Sequence, residues 1–190
     1  PSYPKEILEI VNENILKKSD YTIADIGSGT GIFSKLLLET GKKVYGIEPN
    51  FEMREYAENY LVENKNYISI NGTAENTGLK ENSVDLITVA QAFHWFEIEP
   101  TKKEFMRIGK ENSYLMLIWN DRKIEKDGFS YEYEEMLKRE CPEYNEVSHK
   151  NIVDKDIEEF YSPNKVEKIV YSNSQIFNYE ELKGRLMSSS

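Results

Sequence analysis

The sequence predicts an α/β fold of three layers, with a mainly parallel sheet between helices on its two faces. Short runs rich in Ile, Val, Leu or Tyr alternate with helix-period segments along almost the whole chain, the pattern of strands joined by crossover helices. A glycine-rich turn joins the first such run to an apolar helical stripe without a gap. The length, 190 residues, suits one core better than two, so the chain reads as a single domain over residues 1–190.

Ile7, Val11 and Ile15 share one face of a first helix. "TIADI" (22–26) is the first strand, and it runs through "GSGTG" into a second helix whose apolar face is Ile32, Phe33, Leu36 and Leu37. Gly41 is placed to end that helix. "KVYGIE" (43–48) is the second strand, and Met53, Ala57, Tyr60 and Leu61 form the stripe of a third helix. "YISI" (67–70), "VDLITV" (84–89), "YLMLIW" (114–119) and "VEKIVY" (166–171) are four further strands. Between Asp121 and Lys165 the rhythm lapses into charged and aromatic text. Residues 121–165 are therefore expected to form two helices inserted after the fifth strand, where substrate-specific cover usually sits. The chain shows no repeats, low-complexity linker or internal domain boundary.

The charge balance narrows the partners. There are 34 Asp and Glu against 24 Lys and Arg, a net charge of -10, which repels a phosphate backbone, so no nucleic-acid partner is expected. The lone cysteine, Cys141, excludes an internal disulfide and fits a reducing cytoplasm. His94 and His149 are far apart in the sequence and show no metal-ligand spacing, so no metal is expected. No apolar run reaches about 18 residues and no charged segment leads an apolar one at the start, so neither membrane association nor export is expected. The chain opens at Pro1 rather than Met, which points to trimming. A monomer or weak dimer is expected.

Gly27, Gly29 and Gly31 fall within five positions. A turn from a buried parallel strand into a helix points backbone N–H groups outward, and only residues lacking a Cβ let a ligand approach that backbone closely. In an open parallel sheet this edge lies at the carboxyl end of the strand, where ligands bind. A dinucleotide fingerprint needs a glycine at position 32, which is Ile, and no Gly-Lys-Ser or Gly-Lys-Thr of a P-loop follows. By themselves the glycines fit either a binding edge or merely a tight connection. Glu48, followed by Pro49, ends the second strand. A carboxylate about 20 residues past such a turn is where these folds accept hydrogen bonds from ribose hydroxyls, the alternative being a solvated strand-end acid.

The stretches "DIGSGTG", "VYGIEP" and "GTAENTGLKENSVDLITVAQAFHWF" resemble, in order and spacing over residues 3 to 120, the class I S-adenosylmethionine-dependent methyltransferases, within them the methyltransferase type 11 group. "AQAFHWF" is similar to small-molecule members, including trans-aconitate methyltransferase-like proteins. The resemblance implies a Rossmann-like methyltransferase fold, S-adenosyl-L-methionine as cofactor, S-adenosyl-L-homocysteine as released product and a small-molecule methyl acceptor. It sets Asp25 and the turn of Gly27, Ser28, Gly29 and Gly31 against the methionine moiety, with Ala90 and Gln91 beside it. Glu48 would face the ribose, the backbone around Ala74 and the Glu75 side chain the adenine, and Pro49, Met53 and Phe93 complete the implied cofactor set. Chains of this family extend beyond both ends seen here. The expectation is therefore six strands, five of them a contiguous parallel core, with "VEKIVY" displaced or paired differently and a seventh antiparallel strand missing.

Methyl transfer from a sulfonium is an in-line displacement that asks mainly for positioning, which can supply about 7 to 11 kcal/mol against a base's typical 10² to 10⁴-fold. His94 is the candidate general base, its alternative role being to shape the aromatic loop. Phe93, Trp95 and Phe96 could offer aromatic surface to a cation, and Tyr3 is a further candidate contact. Cys141 precedes a proline rather than following one, and "AQAF" stands where an amino-methylating nucleic-acid enzyme needs an acidic or amide residue before two prolines. Lys102, Lys103, Arg107 and Lys110 read as a solvated helix face. Two other classes remain open: a protein that binds the cofactor without transferring its methyl, and a nicotinamide-dependent oxidoreductase.

Overall fold

A computed structural model describes residues 3–15, 20–121, 123–124, 128–140, 154–174 and 176–187. Five strands form one parallel sheet in the order β3-β2-β1-β4-β5: β1 (Thr22–Ile26), β2 (Lys43–Ile47), β3 (Tyr67–Ile70), β4 (Val84–Ala90) and β5 (Gly109–Ile118). The central strand, β1, is buried from Ile23 to Ile26 because both of its faces are covered. The order steps outward from β1 to β3 and then reverses to β4 and β5, so β1 and β4 flank the switch point where a crevice opens beyond their carboxyl ends.

Alternation along the strands makes two cores. Ile23, Val44 and Leu86 meet α2 (Ile32–Leu38), together with Ile7 of α1 (Glu6–Glu9) and Val11 of the π turn that continues it to Ile15. Leu61, just past α3 (Phe51–Tyr60), joins this side. Ala24, Ile26, Ile47, Ile87 and Val89 face the other way, against Phe105 and Ile108 of α4 (Ile98–Ile108) and against Phe160. The segment expected to hold two inserted helices contains α5 (Phe129–Glu140) and α6 (Asp154–Tyr161), the latter contributing Phe160. Cys141 and His149 lie outside the described residues. The last described helix is α7 (Tyr179–Met187). No helix among the described residues is long and apolar enough to cross a membrane.

Four readings change. Residues 166–171 are not a strand: Lys165 to Ser174 carries no ladder, and Val170 is 82% exposed. β-branched residues favour the extended conformation, but a strand also requires a neighbour for its backbone groups, and among the described residues β5 pairs only with β4. The contiguous core of five parallel strands is as expected, and among the described residues no sixth strand joins it. β5 starts at Gly109, five residues before the expected position, because the polar "GKENS" passes through Asn112 at φ 62 and a register shift against Val84–Leu86. Met53 and Tyr60 are exposed, while Ala57 and Leu61 do the packing; Lys35 Nζ lies 4.4 Å from the Tyr60 ring centroid and donates to its hydroxyl at 3.0 Å.

Lys103 is exposed as expected, but Lys102, Arg107 and Lys110 do more than face solvent. Lys102 Nζ donates to the carbonyls of Glu159 and Ser162, and Lys110 pairs with Asp85 at 2.6 Å. Arg107 binds Glu104 through Nε at 2.7 Å and also donates to the Leu79 carbonyl. Burial alone would raise the Glu104 pKa, but hydrogen bonds from Arg107 and Thr77 outweigh it and hold the carboxyl down at about 2.

Candidate cofactor site at the glycine turn

β1 continues its pairing past its last residue, since the N–H groups of Gly27 and Ser28 both donate to the Ile47 carbonyl. The chain then enters α2 through three glycines at φ +67, +55 and +79, a region that L side chains rarely adopt. Their surroundings separate their roles. A Cβ on Gly27 would stand 2.6 Å from that of Ala92, just beyond β4. A Cβ on Gly31 would press on Leu61 and Ala57 at 3.0 and 3.1 Å. At Gly29 a Cβ would meet nothing within 4 Å. Gly27 and Gly31 thus let the turn pack tightly, and Gly29 presents bare backbone to the crevice.

Two carboxylates hold this turn. Asp25, 1% exposed, accepts from Ser34 Oγ of α2 at 2.6 Å and from Thr88 Oγ1 of β4 at 3.0 Å, so it ties the elements on either side of β1. Burial drives its pKa up to about 6; the two hydroxyl donors oppose the rise and the Glu48 charge adds to it. Glu48 is buried at the end of β2, with Oε2 accepting from the Gly29 N–H and Oε1 from the Asn50 N–H, both at 2.9 Å. Asn50 in turn caps α3 by accepting from the Met53 N–H.

A cleft of about 150 Å³ opens here. Asp25, Gly27, Ser28, Gly29, Ala90 and Gln91 line it, as does Tyr3, whose ring meets Phe33 edge-on at 4.7 Å. Gln91 leaves β4 at φ 61, a backbone state a non-glycine residue adopts only under constraint; its N–H is held by the Ile118 carbonyl. Glu48 adjoins the cleft through its bond to Gly29, and Gly31 supports it from below.

The remaining expected residues do not line the cleft. Pro49 and Met53 are exposed around the start of α3, and Ala74 is buried in the core. Glu75 caps α4, accepting from the Glu97 N–H at 3.0 Å and from Thr101 Oγ1; burial alone would raise its pKa, but such hydrogen bonds hold it below the ordinary value. Phe93 is buried in an aromatic cluster with Phe96, Trp119 and Phe160, at centroid distances of 6.1, 6.2 and 5.0 Å. His94 packs beside the Trp95 ring in the 3-10 turn Phe93–Trp95. Among the described residues no group of three or more His, Cys, Asp or Glu could hold a metal ion.

Thr30, Ile32 and Phe33 line the cleft without having been singled out as contacts, and Ser34 and Thr88 are its hidden anchors. A signal existed for one anchor: Thr88 is a lone hydroxyl within the buried run Leu86–Val89, which calls for a polar partner.

Residues 24–117 match the family model described as a methyltransferase domain. Over these residues the chain belongs to the S-adenosylmethionine-dependent methyltransferases. Similar proteins include an uncharacterized methyltransferase of Mycobacterium tuberculosis, 33% identical over 140 residues that cover 74% of this chain and 54% of that protein. Another is an uncharacterized methyltransferase of Schizosaccharomyces pombe, 32% identical over 126 residues, 64% of this chain and 48% of that one. The chain spans about half the length of these curated relatives. Among solved structures, an S-adenosylmethionine-dependent methyltransferase from Aquifex aeolicus superposes with TM-score 0.55 at 25% identity, covering 72% of this chain and 77% of its own.

The cofactor of this methyltransferase family is S-adenosylmethionine. The residues present suit it, because Gly29 leaves room against bare backbone and a fixed carboxylate, Glu48, stands directly behind it.

Proposed function

We propose that this chain binds S-adenosylmethionine across the glycine turn and transfers its methyl group to a small-molecule acceptor, releasing S-adenosylhomocysteine. The observation that carries the reading is the open face of Gly29 with its N–H held by Glu48. Bound there, the cofactor supplies a methyl group activated by a positively charged sulfur. The residues hold and orient. Asp25 clamps the turn from inside, Gly29 and Thr30 present backbone, Tyr3 and Phe33 wall the apolar side, and Glu48 keeps lone pairs for ribose hydroxyls.

Orientation of this kind can supply about 7 to 11 kcal/mol, so the reading requires no general base. His94, seated against Trp95, is assigned to shaping the loop after β4. The net charge of -10 favours a small acceptor over a nucleic acid. The single cysteine suits action in a reducing cytoplasm.

Calorimetric titration with S-adenosylhomocysteine and with NAD tests the binding claim. S-adenosylhomocysteine should bind and NAD should not. Glu48→Ala should weaken binding about 10- to 150-fold, the loss of a charged hydrogen bond worth roughly 1.5 to 3 kcal/mol. NAD binding with no response to S-adenosylhomocysteine would overturn the proposal. Transfer itself is read as S-adenosylhomocysteine formed over a panel of small acids, phenols and amines; binding without turnover on any of them would leave a cofactor-binding protein and remove the enzyme.

A further inference from the structure

Residues 91–97 carry the chain from β4 to α4 past the glycine turn. They press on it. The point where Gly27 would carry a Cβ lies 2.6 Å from Ala92 Cβ, 3.5 Å from Phe96 Cζ and 3.7 Å from Phe96 Cε1. Gly27 lines the cleft, so this loop backs part of the cleft wall. β4 fixes the near end of the loop through the bond from the Gln91 N–H to the Ile118 carbonyl. Inside the loop the Trp95 N–H donates to the Ala92 carbonyl at 3.0 Å and the Phe96 N–H to the Phe93 carbonyl at 3.2 Å.

The far end is fixed from outside. Glu97, at the N-cap of α4, makes no capping bond with its own side chain. Its N–H donates instead to Glu75 Oε1 at 3.0 Å, and the same oxygen accepts from Thr101 Oγ1 at 3.4 Å. A carboxylate at the start of a helix is also favoured by the partial positive charge there. Glu75 stands on a turn closed on itself: Thr73 and Asn76 exchange backbone hydrogen bonds at 3.1 and 3.3 Å, and Thr73 Oγ1 accepts from the Asn76 N–H at 3.2 Å. A continuous line of contacts therefore runs from Glu75 through the Glu97 N–H and the adjoining Phe96 ring to Gly27.

A second carboxylate crosses the same interface in the opposite direction. Glu104 of α4 accepts from the Thr77 N–H at 2.9 Å and from Thr77 Oγ1 at 2.6 Å, and it pairs with Arg107. It ties the same loop to the same helix, two turns further along α4 and without a bond to residues 91–97.

We propose that Glu75 is a positioning residue for the cofactor site: by holding the Glu97 N–H it keeps Phe96 against Gly27 and so fixes that wall of the cleft. The inference rests on the reading of the glycine turn as the cofactor site. A carboxylate that served only to cap α4 would change stability and leave cofactor affinity alone.

The test measures S-adenosylhomocysteine affinity and urea unfolding for Glu75→Ala, Glu75→Gln, Phe96→Leu, the pair of Glu75→Ala with Phe96→Leu, and Glu104→Gln. Glu75→Ala and Phe96→Leu should each weaken binding about 3- to 30-fold, the range for residues that act on a site through others. Glu75→Gln keeps an oxygen for the Glu97 N–H and should restore affinity to near the parent value. The pair should lose no more than the worse single change, because both act through one contact. Glu104→Gln should lose stability, since it breaks the ion pair with Arg107, yet bind as the parent does. Parent affinity in Glu75→Ala, single losses that multiply in the pair, or an affinity loss in Glu104→Gln as large as that in Glu75→Ala would overturn the inference and leave the cofactor site standing. Failure of the unaltered chain to bind S-adenosylhomocysteine would instead overturn the reading on which the inference rests.

Discussion

The stretch from Thr22 to Ile118 and the stretch after Lys165 use the same kinds of residue to opposite effect. Ile23, Val44 and Ile47 are wholly buried, whereas Val170 is 82% and Ile176 97% exposed. "TIADI" and "VEKIVY" are alike in β-branched content. The first is paired on two edges and covered on two faces; the second carries no ladder. Strand propensity thus becomes structure only where neighbours satisfy the backbone and cover the side chains. Stability, on this comparison, resides in the sheet and its glycine turn.

The largest contrast should come from Gly27→Ala. Its positive φ costs about 1 to 2 kcal/mol for a residue with a Cβ, and the contact at 2.6 Å with Ala92 adds overpacking of about 1 to 3 kcal/mol. Urea unfolding should show a total loss of about 2 to 5 kcal/mol; a variant as stable as the parent would break the claim that the turn is tightly packed.

Next comes the buried acid. The Asp25 pKa of about 6 in the folded chain lies above its ordinary 3.8, so the native state binds the proton more readily than the unfolded state. The resulting destabilisation is fully present above pH 6 and is relieved as pH falls through that value. Glu104, held at about 2, works in the opposite sense, with stability lost as pH drops below its ordinary 4.5. The Asp25 signature is therefore read between pH 7 and 5, where the parent should gain on the order of 1 kcal/mol that Asp25→Asn does not. Parallel pH profiles for the two proteins would show that the carboxyl titrates elsewhere.

The smallest effect belongs to the far region. Val170→Ser should change stability by less than about 0.5 kcal/mol in the same unfolding assay, as for surface positions generally. A loss above 2 kcal/mol would mean that Val170 is covered in solution and would erase the contrast.

Much of this protein was legible before any coordinates. The five parallel strands follow from apolar runs of strand length set between helical stripes, and the strand-to-helix turn with a carboxylate beside it follows from the spacing of Gly27, Gly29, Gly31 and Glu48. Side-chain direction was not legible. Phe93 sits two residues past Gln91 yet turns into the core, Glu75 turns to cap α4, and Met53 and Tyr60 face out of a stripe that looked apolar. Periodicity states which residues share a face but not whether another element comes to cover it.

By itself, then, the sequence determined the alternation of strand and helix, the glycine-rich strand-to-helix turn and the acidic net charge, since each depends only on residue type and local spacing. Only the tertiary structure decided that Ser34 and Thr88 clamp Asp25, that Tyr67 fills the notch at Gly46, and that Val166–Tyr171 stays outside the sheet. Those outcomes depend on which distant residues meet: Asp25 and Thr88 are 63 positions apart, and only the pairing of β1 with β4 brings them to hydrogen-bonding distance.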